Sequence, residues 1–339
     1  TMLSWSGNTA GKWVEGDVVT LVPYRTPEEF KAWLPSVKGK IVLASAPRLS
    51  CRMTSQIAEF ATPQTAAALD SAQRDLTATY QGLTQRVPTF YADVKAAGAV
   101  AVFESNWSQY PGIDKIFGSP RNSAIPTFDI GCEDYGMLFR LAQNTQGPKV
   151  KLMAESEFLG EQPVFNVIAE IKGSKKPDEY VVLSAHFDSW EGHSGATDNA
   201  TGTVTMLEAL RILKTVLPNP SRTIIVGHWS GEEQGLNGSG SWAADHPEVS
   251  KGLQFAFNQD NGTGRIVNTG PSVLPENGPR LAQYMSQMPS QLTQYLRLSG
   301  PSGIGGGSDH VSFLCRGAPA ASLGALSWDY SFTTWHTNR

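Results

Sequence analysis

The chain has 339 residues, a formal net charge of −4 and a pI near 5.9, which leaves no basic footprint for nucleic acid. Apolar residues make up 40% of it, enough for a large core, yet no run approaches the roughly 20 consecutive apolar residues of a membrane span. At roughly 100–200 residues per domain, such a length predicts two domains.

Short apolar runs at residues 17–22, 39–45, 99–104 and 125–130 predict strands in the first half. Between them, residues 55–83 are rich in Ala, Gln and Thr and predict helices on the outside of a small β domain. A helix over 91–97 stops at Gly98, because glycine tolerates the left-handed dihedrals of a helix end. A further helix is expected over 133–142 and a strand over 149–153. Near residue 160 the pattern changes to alternating strand and helix, the mark of α/β layers. Residues 165–171 and 180–185 flank a turn-forming stretch and read as a hairpin entering the sheet. A helix follows over 201–217, with apolar residues at 204, 207, 210, 213 and 217, and Pro218 and Pro220 end it. Continuous apolar runs at 223–227, 253–258 and 318–323 predict strands buried on both faces, with a helix over 279–288 before the last. Cys51, Cys132 and Cys315 are too few and too widely spaced for a disulfide framework or a cysteine metal site. Their odd number leaves at least one thiol free or paired between chains.

His186, Asp198, Glu233, Asp260 and His336 each fall just after an apolar run or in a glycine-rich loop. That is where an open α/β sheet gathers a site, at the carboxyl ends of its strands. Two imidazoles and three carboxylates with no nearby thiol describe a divalent-cation site suited to zinc, cobalt or manganese. Asp188, two positions after His186, is spaced to accept the second ring N–H and fix the tautomer. Glu232 and Glu233 stand in Gly231-Glu232-Glu233-Gln234-Gly235, a glycine-flanked loop in which one carboxylate can bind metal while the other faces the activated water. Taken singly, Asp198 could be a helix cap, Asp260 a turn aspartate and His336 a frayed terminal histidine. Their recurrence at successive strand ends points to a metal-dependent hydrolase. The chain has no Gly-X-Ser-X-Gly elbow, which argues against a serine hydrolase. The loop at 303–309, Gly-Ile-Gly-Gly-Gly-Ser-Asp, is flexible enough to approach a substrate. His310 beside it is a candidate substrate contact, with a packed loop histidine as the alternative.

The strings Ser184-Ala185-His186-Phe187-Asp188, Gly195-Ala196-Thr197-Asp198-Asn199-Ala200-Thr201-Gly202, Gly231-Glu232-Glu233-Gln234-Gly235-Leu236 and Trp335-His336-Thr337 resemble the M28 family of co-catalytic zinc exopeptidases. With Asp260, the likeness covers about residues 160–339. It implies a three-layer α/β/α zinc-exopeptidase domain with a mixed sheet over residues 161–339, binding two Zn2+ per chain. His186 and Asp260 would hold one ion and Glu233 and His336 the other, with Asp198 bridging. Glu232 would be the general base, and Asp188 would orient His186. The strings Lys38-Gly39-Lys40-Ile41-Val42-Leu43 and Lys95-Ala96-Ala97-Gly98-Ala99-Val100-Ala101-Val102 resemble a protease-associated domain. This makes residues 1–160 a smaller β-rich domain with a leading segment, and points to the carboxypeptidase Q-like branch. Members of that branch are dipeptidases or aminopeptidase-like exopeptidases acting on short peptides, of secreted, periplasmic or lysosomal location. The rivals are a glutaminyl cyclase-like acyltransferase with one zinc, a receptor-like ectodomain without catalysis, and mono-zinc deacylation of amides other than peptides. The intact five-ligand set and Glu232 favour hydrolysis. The chain starts at Thr1 with no leader, so any targeting segment has been removed or was never included. It stops at Arg339, where the family continues into an acidic segment and a closing helix, which implies a fragment. His336 would then need a homodimer partner or the missing chain segment to brace it.

Overall fold

The computed structural model describes residues 1–118, 125–269, 277–298 and 307–339. They form two compact units. One comprises Thr1–Gly160, Trp190–His193 and Ser331–Arg339; the other comprises Glu161–Ser189 and Ser194–Tyr330.

The first unit is built on five strands, β1 (Val14–Thr20), β2 (Lys40–Leu43), β3 (Ala101–Glu104), β4 (Thr127–Asp129) and β5 (Lys149–Leu152), in the order β4-β3-β2-β1-β5. The pairings from β4 to β1 are parallel and β5 closes one edge antiparallel to β1. Successive side chains of a strand point to opposite faces, and the sequence uses this twice over. Val42 and Val102 pack with Phe30, Phe90 and Val94 on one face, while Ile41, Leu43 and Phe103 pack with Tyr135 and Phe139 on the other. Strands apolar on both faces must be covered by helices on both sides. The helices Pro27–Trp33, Pro63–Tyr80, Phe90–Ala96 and Cys132–Gln143 belong to this unit. It therefore holds more helix than a β-rich domain implies, because the 55–83 stretch folds almost wholly into the helices Thr54–Phe60 and Pro63–Tyr80.

Cys51 and Cys132 form a disulfide across 81 residues, and Cys315 is free and exposed. Closing a loop of that length in the unfolded chain corresponds to roughly 4.5 kcal/mol of entropy, of which about 2–4 kcal/mol is usually realised. Cys51→Ser is expected to lower the melting temperature of the first unit by roughly 5–15 °C. Equal melting of the variant and the oxidised parent in differential scanning calorimetry would refute that expectation.

The second unit carries a seven-stranded mixed sheet: β6 (Val167–Ile171), β7 (Lys176–His186), β8 (Arg222–Trp229), β9 (Leu253–Gln259), β10 (Ile266–Thr269), β11 (Arg297–Leu298) and β12 (Ala320–Ala325). Their order is β11-β10-β12-β9-β7-β8-β6. The four central strands β12, β9, β7 and β8 are parallel, and β6 joins β8 antiparallel. The hairpin expected from residues 165–171 and 180–185 is not formed, because β8 lies between those two strands. The physical reason is burial: β8 is buried from Thr223 to Trp229 and takes an interior place, while β6, exposed or half-exposed along its whole length, is left at the edge.

Two helical layers cover this sheet, giving the three-layer α/β/α architecture. Val182, Ile225, Trp229, Ala256 and Ala320 pack on one side with Trp242, Phe313 and Leu314. Leu183, Ala185, Ile224 and Val226 pack on the other with Met206 and Leu210 of the helix Thr201–Val216. A buried polar chain crosses the central strands just below their carboxyl ends. Trp229 Nε1 donates to Ser184 Oγ (2.6 Å), Ser184 Oγ to Asn258 Oδ1 (2.7 Å) and Asn258 Nδ2 to Ser308 Oγ (2.8 Å). Fully paired buried groups of this kind fix one register. Here they lock β7, β8 and β9 two to four residues from the expected ligands. Of the glycine loop expected at 303–309, residues 303–306 lie outside the described residues.

Candidate metal centre

The parallel order β9-β7-β8 sets three carboxyl ends side by side, and each delivers a candidate ligand. His186 closes β7, Asp260 follows β9, and the turn after β8 carries Glu232 and Glu233. His186 is 1% exposed. Its Nε2 lies 3.2 Å from both Asp198 Oδ1 and Asp260 Oδ1. The ligand atoms of His186, Glu232 and Asp260 all fall within 4.8 Å of one another, as do those of Asp198 and Glu233.

Asp198 is buried immediately ahead of the helix Thr201–Val216, but it does not cap it. The N-cap is Ala200, with no side-chain cap hydrogen bond, so the ordinary explanation of this acid fails. The segment is pinned by its neighbour: Asn199 Nδ2 donates to Gln259 O (2.9 Å) and Asn199 Oδ1 accepts from Gly202 N (3.2 Å). A Cβ on Gly202 would lie 2.3 Å from Asn199 Oδ1 and 2.5 Å from Gln259 O, so only glycine fits there.

Asp188 acts differently from the expectation. On the Nδ1 side of His186 the nearer group is the Asp188 carbonyl, at 3.1 Å, with its carboxylate at 3.6 Å. That carboxylate instead accepts from the backbone N–H groups of Glu232 (3.1 Å) and Glu233 (3.3 Å). One residue thereby orients the imidazole and holds the acidic pair in place.

Burial lowers the His186 pKa, and the carboxylates of Asp188, Asp198 and Asp260 reverse that and hold the imidazole well above the ordinary histidine range. Glu232 is pushed up to about 9, first by burial and then by Asp260, Asp309 and Glu233, with His186 opposing. Several carboxylates crowded around one buried imidazole repel each other, and a divalent cation among them relieves that repulsion. The donor set of imidazole nitrogen and carboxylate oxygen therefore fits zinc.

Tyr330 was not signalled by any strand-end pattern. Burial raises its phenol pKa, the charges of Asp198 and Asp260 raise it further, and the hydroxyl hydrogen-bonds Asp198. Its ring lies against Gly262, where a Cβ would come within 3.0 Å of it. Partners of metal ligands typically contribute about 10- to 100-fold to metal affinity or activity. Tyr330→Phe is expected to weaken zinc binding by about tenfold, measured by competition with a chromophoric chelator. Unchanged affinity would remove Tyr330 from the account.

His336 belongs to the first unit, and it is not frayed. Its carbonyl accepts from Ile116 N (2.8 Å), and Lys115 forms an antiparallel bridge to Thr337. The buried Lys115 ammonium donates to Ser331 O (2.8 Å) and Trp335 O (2.5 Å) and lies 4.7 Å from the Trp335 ring centroid. The His336 ring is 4.8 Å from that of Phe117. Asp114 and Asn338 exchange a further pair of hydrogen bonds. The bracing expected from another chain is thus supplied by the chain's own residues. The remaining candidate, His310, opens the helix His310–Leu314 and is only 3% exposed, which leaves it little face for a substrate. Burial lowers its pKa to about 4.

The model of Peptidase family M28 matches residues 166–339, just over half of the chain. The chain belongs to peptidase family M28. Among the relatives of this M28 chain, carboxypeptidase Q of Bos taurus is 32% identical over 239 residues, which are 70% of this chain and 48% of that protein. Carboxypeptidase Q of Homo sapiens is 27% identical over 318 residues, 94% of this chain and 61% of that protein. The M28 chain thus spans about half to three-fifths of the length of these relatives. A peptidase M28 precursor from Shewanella amazonensis SB2B superimposes with a TM-score of 0.71 at 24% identity, covering 100% of this chain and 71% of that one. A zinc aminopeptidase from Bacillus subtilis gives 0.61 at 22% identity, covering 97% and 69%. These two structures share the fold. Neither likeness singles out a protease-associated domain.

Proposed function

We propose that this M28 chain is a zinc-dependent exopeptidase acting on short peptides. The observation that supports this most is the buried His186 with Asp198 and Asp260 each 3.2 Å from its Nε2, beside the Glu232–Glu233 turn. On this reading His186 and Asp260 would hold one Zn2+, Glu233 and His336 would hold a second, and Asp198 would serve both. Zinc bound there would lower the pKa of a water and polarise the scissile carbonyl.

Glu232 removes a proton from the attacking water as its oxygen bonds to the carbonyl carbon, then delivers that proton to the leaving nitrogen as the C–N bond breaks. Burial and the neighbouring carboxylates raise the Glu232 pKa, and divalent cations held beside it would lower it again, leaving an ionised carboxylate to take the proton. Asp188 keeps Glu232 and Glu233 from exchanging places by accepting both of their backbone N–H groups. Neither an acyltransferase nor a receptor-like ectodomain needs this full set of ligands together with a positioned base.

The first unit is read as protease-associated-like on its two strand strings. The disulfide fits an oxidising compartment, as expected of a secreted, periplasmic or lysosomal enzyme. No helix among the described residues is long and apolar enough to cross a membrane. A panel of dipeptides and tripeptides with free and blocked ends tests the exopeptidase reading. Cleavage confined to peptides with one particular end free is expected. Cleavage of peptides blocked at both ends would overturn it.

A further inference from the structure

The first unit contains a cleft of about 640 Å³ that the proposed peptide chemistry does not use. Three arginines line it, Arg48, Arg52 and Arg140, against one acid, Glu133. Among the described residues none of the three is in an ion pair. Asp70, the acid that acts on Arg48 electrostatically, is paired with Arg74 instead.

The cleft is held in shape by covalent and steric means. Arg48 and Arg52 flank Cys51, whose disulfide ties their loop to Cys132, the first residue of the helix Cys132–Gln143. Arg140 stands two turns further along the same helix face, with Gly136 between. A Cβ at Gly136 would lie 3.1 Å from Arg140 Nη1 and 4.0 Å from Arg48 O, so the glycine lets the Arg140 guanidinium lie back towards the Arg48 loop. Arg48 stacks on Trp107 at 4.8 Å, which fixes its plane, and its Nε is buried with no hydrogen-bond partner. Gln109, 4% exposed, also lines the cleft. The first turn of Cys132–Gln143 has no side-chain cap, which leaves backbone N–H groups at the same end.

Guanidinium groups present planar forks that match the two oxygens of a carboxylate or the face of a phosphate. Several of them brought together without carboxylate partners repel one another, and an oxyanion between them removes that cost. The volume exceeds that of a bare oxyanion, and Leu49, Pro111 and Tyr110 supply an apolar and aromatic wall. We propose that this cleft binds a small organic anion, a carboxylate or phosphate ester on an apolar or aromatic body.

Isothermal titration of the intact protein with phenyl phosphate, benzoate and phenol tests this. At least one of the two anions is expected to bind about tenfold or more tightly than phenol, and to weaken as salt is raised. The tighter of the two identifies the oxyanion as phosphate or carboxylate. R48M and R140M are each expected to weaken it by about tenfold, and R140K by less, because lysine keeps the charge without the fork. Binding at the zinc centre is common to all variants and does not enter the difference. R140M and R140K alter an exposed helix position, so they keep the test decisive should R48M lose its stacking and unfold. Anion binding by R140M equal to that of the parent, or phenol binding as tightly as both anions, would overturn the proposal.

Discussion

Glu232→Gln is expected to retain its zinc and to lose kcat for dipeptide hydrolysis by about 10²–10⁴-fold. Glutamine has the same shape and keeps the backbone N–H that Asp188 accepts, so the turn should stay in place. What it lacks is the ability to take a proton from water and return it to the leaving amine. The loss should fall on kcat with KM little changed, because the proton transfer is made only in the transition state. Glu232 also lies within ligand distance of His186 and Asp260. If it were a ligand rather than the base, the variant would lose zinc together with activity. Measuring metal content and kcat on the same sample separates the two roles.

Asp198→Asn should cost more, and by a different route. Its Oδ1 faces His186 Nε2 at 3.2 Å, it is 2% exposed, and it is the residue proposed to serve both ions. Asparagine keeps the shape but removes the negative charge that balances the cations. Changes to partners of ligands already cost about 10- to 100-fold in affinity, so loss of a shared ligand should exceed a hundredfold. The readouts are zinc content by elemental analysis and the rise in melting temperature on adding zinc, since a ligand stabilises only the state that binds it. The parent should be stabilised by zinc and the variant scarcely at all. Equal stabilisation of both would remove Asp198 from the centre.

Much of this site was legible because strand ends in a parallel sheet converge, and the acids and imidazoles after β7, β8 and β9 stand at such ends. The buried runs that became β2 and β8 carry apolar residues on both faces, so their composition alone revealed them. What the residues could not show is long-range. β10 and β11 are short, with little buried surface, and carry weak periodicity. The separation of β6 from β7 depends on a crossover that brings β8 between them. Cys51 meets Cys132 across 81 residues, and Lys115 reaches Trp335 across 220, so no local pattern announces either. Asp188 lay at the right spacing from His186, yet the main target of its carboxylate is the turn 44 residues away, which only the fold brings near. His336, expected to hang at a free end, is instead fastened through the 114–117 stretch.

The most direct test of the central claim is hydrolysis of an unblocked dipeptide by the purified chain before chelation, after it, and after zinc is restored, with metal counted at each stage. About two zinc ions per chain at the start, activity abolished with their removal and recovered with their return, is the predicted result. Undiminished hydrolysis by the metal-free chain would contradict it.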